Sequence, residues 1–336
     1  MCNLQPGEKV LIISDARTPW EMVATFQGMA MTLGAEAVTL EGPVPYGGPT
    51  YQPGVVWSSM YAEIAKESDL IIDLAVGYAD FMSAALEAGT RVLMPGDGIG
   101  GAYLDDMLIR TIRDCDIHEL RRSAGRIAQR FTDTSLIRMI TGGGEYVLEI
   151  DVSGVDGAPV DGFLWDPDLG KFKSNYEIMP PAQPGITVPR FRANGTVAVE
   201  GVVLWHQVYH ECPRGDLRLT FENSRLVDLQ GDRNLCNRVR HWLETLGDDA
   251  AWEGPNHFNI GINPNAVMSQ NQEWERIYGS VTCGMGDMST AGKLLSTGEH
   301  VEYAASGVHW DWTVLQPEIW LDDSPLVKDG VVLDYG

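Results

Sequence analysis

Between Lys9 and Leu74 the chain alternates short apolar runs with longer amphipathic stretches, and this alternation restricts the fold more than any other feature. Lys9 to Ile13, Ala35 to Leu40 and Asp69 to Leu74 read as buried strands, and Trp20 to Leu33 and Trp57 to Lys66 read as helices between them. Strand, helix, strand in repeated order predicts βαβ units, hence a parallel sheet with helices on both faces. Arg91 to Met94 adds another short buried strand, and Leu104 to Phe131 reads as helix with its basic residues in the second half. The expected first domain is an α/β Rossmann-like domain over residues 1–150.

Residues 151–193 change character. Gly, Pro and Asp crowd the stretch from Gly142 to Pro189, which reads as a crossing region. From Asn194 the pattern turns β-rich, with Thr196 to Leu204, Leu217 to Phe221 and Arg225 to Gln230 as strands, the last two joined by the Glu222-Asn223-Ser224 turn. A helix is expected over Asn234 to Leu246, and Glu318 to Asp323 with Gly330 to Leu333 reads as a hairpin around Ser324-Pro325. Residues 194–336 are thus expected to form a β-rich α+β domain.

Composition narrows the partners. With 47 acidic against 24 basic side chains the formal charge is −23, which repels phosphate backbones and anionic membranes and argues against nucleic-acid and membrane partners. The N-terminus has no apolar signal core, and no apolar run approaches the ~20 residues of a membrane span. Five cysteines, widely spaced and without a CxxC, support neither a disulfide framework nor a zinc ribbon. The expectation is a cytoplasmic protein with reduced thiols, assembled as a homo-oligomer, whose partners are small molecules.

The chemical signal sits near the C-terminus. In Val308-His309-Trp310-Asp311-Trp312, a strand would place His309 and Asp311 on one face and turn Trp310 and Trp312 to the other. A lone His-x-Asp is a weak motif, more often accidental than not. Here Ala304 to Gly307 before it and two tryptophans around it suggest a strand entering a concave, partly apolar pocket, with Trp310 or Trp205 as ring-lining candidates. His257 is a plausible third ligand, in a Gly-, Asn- and Pro-rich segment from Gly254 to Pro264. Two His and one Asp are the facial set that leaves iron(II) open positions.

Other signals compete. His206 and His210 have the i, i+4 spacing of a helical zinc pair, but Gln207 stands where a catalytic Glu would be and the surroundings are β-branched and aromatic, so a strand is expected. The Gly96 to Gly101 and Gly142 to Gly144 runs lack the spacing of phosphate loops and read as turns. Cys283 has no identifiable paired base and reads as a small buried thiol.

Taken together, Asn256 to Pro264, Gly279 to Gly286 and Ser306 to Asp311 resemble the C-terminal half of the thermophilic-aminopeptidase-like superfamily, and within it the 2,5-dihydroxypyridine 5,6-dioxygenases of nicotinate catabolism. Gly195-Thr196-Val197 and Trp320 to Asp323 fit the same likeness. The resemblance implies a mononuclear non-haem iron(II) ring-cleaving dioxygenase, with iron held by His257, His309 and Asp311 and with O2 and a hydroxylated N-heteroaromatic as substrates. The aminopeptidase branch has a Glu where this chain has His257 and a His where it has Thr282, so a two-metal hydrolase is the alternative reading. Tyr176 to Pro181 resembles that branch's Glu-Val-x-x-x-Pro segment, which makes Glu177 a ligand, a base or a vestige. The dioxygenases carry a His in the loop after the Asp69 to Leu74 strand, and Ala75 to Asp80 contains none, leaving Tyr78 to take a proton-handling part. Glu177, Tyr78, His206 and His210 are the acid/base candidates.

Overall fold

The computed structural model describes residues 1–42, 58–77, 79–96, 103–205, 208–245, 247–269, 273–288 and 302–333, and these fall into two compact units. The first comprises residues 1–117, 160–181 and 269–273; the second comprises 118–159, 182–268 and 274–336. The 151–193 stretch is therefore divided, its middle part contributing to the first unit.

The first unit is built on a five-stranded sheet in the order Tyr176–Met179, Arg91–Pro95, Leu70–Asp73, Lys9–Ser14, Glu36–Glu41, with every neighbouring pair parallel. Helices Trp20–Thr32, Ser59–Lys66 and Asp80–Glu87 connect the first four of these strands in sequence. The third of these helices, two turns long, was not among the elements expected from the sequence, although Phe81, Met82, Ala85 and Leu86 are buried at helical spacing. Near-continuous burial of Val10 to Ile13, Leu70 to Ile72 and Val92 to Met94 follows from a sheet covered on both faces. The fold class expected from the alternation, a Rossmann-like parallel sheet followed by a β-rich domain, is the one observed.

Where one helix was expected from Leu104 to Phe131, there are three pieces: Leu104–Leu108, a π-helical Ile109–Arg113, and Ile117–Thr132. The break falls at Asp114-Cys115-Asp116, residues that favour local turns over helix interiors. Beyond it, Leu120, Ala124, Ile127 and Phe131 form one buried stripe at helical spacing.

The second unit joins thirteen described strands in one mixed-length antiparallel sheet. Ala193–Trp205 and Val208–Glu222 form a long hairpin, and Arg225–Gly231 follows as its third strand. His210 is on a strand, so the helical zinc pair is absent. Glu318–Leu321 pairs with Ser324–Lys328, which places the turn at Asp322-Asp323. Ser324-Pro325 begins the second strand instead of forming the turn, a position proline tolerates at a strand start. Gly142, Gly143 and Gly144 all have positive φ (61°, 65° and 100°) and make the turn between Leu136–Thr141 and Tyr146–Asp151.

Candidate metal centre

Three adjacent antiparallel strands build the site: His257–Ile260, Val281–Gly286 and His309–Val314. Their register sets His257 opposite Gly284 and Gly284 opposite Asp311, so these three residues form one row across the sheet. Directly opposed residues in antiparallel strands point to the same face. His309, opposite Gly286, is two residues from Asp311 and shares that face. The alternate row, Phe258, Cys283 and Trp312, turns the other way and is fully buried.

The burial of that second face anchors the first. Phe258 meets Phe131 edge-on at 6.0 Å, and Trp312 stacks on Phe221 at 6.2 Å. Trp310 is 1% exposed and donates its indole N–H to the Ala251 carbonyl at 3.0 Å. It is core, on the face away from Asp311, and does not line a ring pocket; nothing is described of the Trp205 side chain. Cys283 also lies on the packed face, where burial pushes its thiol pKa well up, as expected for an inert thiol.

On the open face His257 Nε2 lies 3.2 Å and His309 Nε2 3.1 Å from the same oxygen, Asp311 Oδ1. The two rings stack at 5.6 Å with an interplanar angle of 20°. One ligand atom from each of the three residues lies within 4.8 Å of the others, and among the described residues this is the one such group of metal-ligating side chains. His309 Nδ1 is 2.7 Å from the Asp287 carbonyl, which can only accept, so Nδ1 carries a proton and Nε2 is the nitrogen turned to the site, able to ligate a cation that displaces its own proton. Asp287 is itself tied in, its carboxylate accepting from Ser306 N at 3.1 Å, while Asp248 accepts from Ser306 Oγ at 2.7 Å and Gly307 N at 2.8 Å.

The electrostatics are those of a cation site. Burial by itself would lower the His309 pKa, but the Asp311 carboxylate beside it outweighs this and raises it to about 9. Burial would raise Asp311, yet His309 and His257 hold its carboxyl well below the usual carboxylate range. Two imidazole nitrogens converging on one carboxylate oxygen leave a place where a divalent cation can replace a proton, and His, His and Asp are a donor set suited to a first-row metal. Two buried polar atoms at this row, His257 Nδ1 and Asn256 Oδ1, also have no protein partner. The residues fit a metal ion.

Gly284 is the residue that sequence reasoning passed over. A Cβ there would run into the His257 ring at Nε2 and Cδ2 and meet Asn256 Oδ1 at 2.6 Å, so only glycine lets the imidazole lie across the middle strand. The signal was present in the alternating glycines of Cys283-Gly284-Met285-Gly286, since glycine inside a strand marks close approach.

The remaining candidates are placed as follows. Glu177 is in the parallel sheet of the first unit, 6% exposed, with Oε1 3.0 Å from Lys173 Nζ and Oε2 accepting from Gly162 N at 3.0 Å. Lys173 also meets Asp161 at 2.6 Å. Burial raises the Glu177 pKa to about 7, with Lys173 opposing the rise. His210 pairs with Val203, which pairs with Trp312, so the register puts His210 on the face opposite Asp311. Tyr78 and His206 lie outside the described residues. Thr282, where the aminopeptidase branch has a His, shares a 2.7 Å hydrogen bond with Thr313.

Comparison with known proteins adds a family. The family model for 2,5-dihydroxypyridine 5,6-dioxygenase (NicX) matches residues 1–144 and 179–334. Among solved structures, 2,5-dihydroxypyridine dioxygenase from Pseudomonas putida KT2440 superposes with a TM-score of 0.74 at 15% identity, covering 98% of this chain and 93% of that one. Wild-type AmpT from Thermus thermophilus gives a TM-score of 0.66 at 13% identity, with 98% and 95% covered. No curated protein sequence matches the chain. At these identities the two structures speak for the fold, and the family model, which spans most of the sequence, carries the assignment: the chain belongs to the 2,5-dihydroxypyridine 5,6-dioxygenase family.

Proposed function

We propose that this protein is a mononuclear non-haem iron(II) dioxygenase that opens the ring of a hydroxylated N-heteroaromatic such as 2,5-dihydroxypyridine, giving N-formylmaleamate with both atoms of O2 incorporated. The observation that carries this reading is the convergence of His257 Nε2, His309 Nε2 and Asp311 Oδ1 on one face of the sheet. Three protein ligands of this kind leave positions for two further reactants. Iron(II) held there would bring an ionised ring hydroxyl and O2 together and pass electron density from one to the other.

The chain's own residues would supply orientation and proton handling. The hydrogen bond from His309 Nδ1 to the Asp287 carbonyl holds that imidazole in its ligating tautomer, and the Asp311 charge offsets the metal's. The packed face beneath, with Trp310, Trp312 and Phe258 at 1% exposure or less, closes the sheet to water from behind. Glu177 stays first among the acid/base candidates on its titration alone, because a carboxyl with its pKa near 7 can both accept and return a proton at neutral pH. Tyr78 and His206 follow it; His210, facing away from Asp311, is the weakest of the four. Cytoplasmic action fits five free cysteines. A two-metal hydrolase would need a further ligand near Thr282, whose hydroxyl is instead engaged with Thr313.

The test is metal analysis of protein purified without oxygen and reconstituted with iron(II). About one iron per chain is expected, and His257→Ala and Asp311→Ala should each lose it while keeping the wild-type circular dichroism spectrum. Full iron occupancy in either variant removes that residue from the site.

A further inference from the structure

Helix Trp20–Thr32 of the first unit carries apolar side chains on its inner and its outer surface, and Glu21 is its one charged residue. A surface helix ordinarily turns charged residues outward. Here Met22, Val23 and Ala30 are buried, while Trp20, Met29 and Met31 stand 67%, 56% and 60% exposed. Trp20, Ala24, Gly28 and Met31 follow one another at helical spacing, with the bulky residues at the ends of the stripe and the small ones in its middle. A Cβ at Gly28 would meet nothing within 4 Å, so that middle is a shallow saddle open to solvent.

We propose that this helix is a self-association surface, on which a second copy of the chain packs helix against helix across a twofold axis near Ala24 and Gly28. An antiparallel pairing there sets Trp20 of each copy over Met31 of the other, and the missing side chain at Gly28 lets the two helices approach closely. Charge selects the same face. At −23 per chain, two copies repel wherever their acidic surfaces meet. This pairing leaves the two Glu21 carboxylates at opposite ends, about 15 Å apart and beyond the screening length at physiological salt. The area suffices as well: Trp20, Met29 and Met31 from two copies, with Ala24, Gly28 and Thr32 between them, bury roughly 1,000 Å², the lower bound for a specific interface. The neighbouring edge strand Glu36–Glu41 is a poorer contact, because Gln27 Nε2 donates to its Ala37 carbonyl at 3.4 Å and antiparallel self-pairing would oppose Glu36 and Glu41.

Sedimentation velocity on the full chain tests it with substitutions at one position. The wild type should sediment as a dimer or a multiple of one. Gly28→Glu sets a carboxylate against its own copy at the twofold and should raise the dissociation constant about 100-fold or more. Its fold is not at risk, since the position is open and glycine is a poor helix former, so its circular dichroism should match the wild type and its melting point should not fall. Gly28→Cys locates the contact. With diamide as oxidant taking up the two thiol hydrogens, it should give a chain-to-chain disulfide, whereas Glu21→Cys, at the far end of the helix, should not.

A wild type that stays monomeric at about 100 μM overturns the proposal without any variant, and leaves the stripe to a different occupant. So does an assembled wild type whose size is unchanged in Gly28→Glu, which would place the contact elsewhere on the chain. Cross-linking at both cysteine positions, or at neither, overturns the twofold centred on Gly28.

Discussion

A single carboxylate oxygen, Asp311 Oδ1, faces two imidazole nitrogens at 3.2 Å and 3.1 Å, and the consequence is a site whose charge balance asks for a cation. Glu177 presents the opposite problem, a carboxylate shared between Lys173 and a backbone N–H inside the first unit. Its folded-state pKa is raised from the usual carboxylate value to about 7 by burial, against the pull of Lys173. The native state therefore holds that proton more tightly than the unfolded chain does, so the stabilisation is present below the ordinary carboxylate pKa and is lost as pH rises through about 7. Glu177→Gln has no such proton to lose. In thermal melts from pH 5 to pH 8, the variant should gain on the wild type as pH rises; a difference that does not change with pH would show Glu177 ionised throughout. The same variant should retain iron and bind substrate yet lose ~10²-fold or more in kcat if Glu177 is the base. Unchanged kinetics would pass the role to Tyr78 or His206.

Among the elements, the three-strand row matters more than any one motif. The ligands come from strands separated by a middle strand, and the two outer side chains can meet above it because residue 284 has no side chain. Gly284→Ala should therefore displace the His257 imidazole: the Cβ would occupy the ring's place, and the neighbours on the reverse face, Cys283 and Met285, are too tightly packed to let the strand sink. We expect at least a tenfold fall in iron affinity with little change in secondary structure, measured by competition with a chelator. Wild-type iron affinity in this variant would show that His257 reaches the metal from another rotamer. The approach to His309 is fixed at the same scale. Asp248 and Asp287 bind the Ser306-Gly307 turn, so the strand enters the sheet with its histidine already aimed.

The whole molecule combines a parallel α/β unit with a β-rich unit that carries the row of His257, Gly284 and Asp311, and its family membership gives the activity to test. An oxygen electrode should record O2 uptake with 2,5-dihydroxypyridine that stops on chelation and returns with iron(II) and a reductant. A flat trace accompanied by hydrolysis of peptide anilides would transfer the protein to the hydrolase reading. Much of this was legible in the sequence. Strand-helix alternation is local and periodic, so four of the parallel sheet's five strands could be read from Lys9 to Met94 without coordinates, while the fifth, Tyr176–Met179, lies in the stretch read as a crossing region. The His309-x-Asp311 face could be read for the same reason, because a strand has a period of two. His257 needed a resemblance to join the pair, since it stands 52 positions before His309 and no local rule spans that distance. Only tertiary structure decided that His257, Gly284 and Asp311 share a row, that Trp310 packs into the core, that His210 faces away, and that Asn256 is left with an unpaired oxygen. Those outcomes depend on strand register and on which face is buried, quantities set by contacts between distant segments and carried by no single stretch of chain.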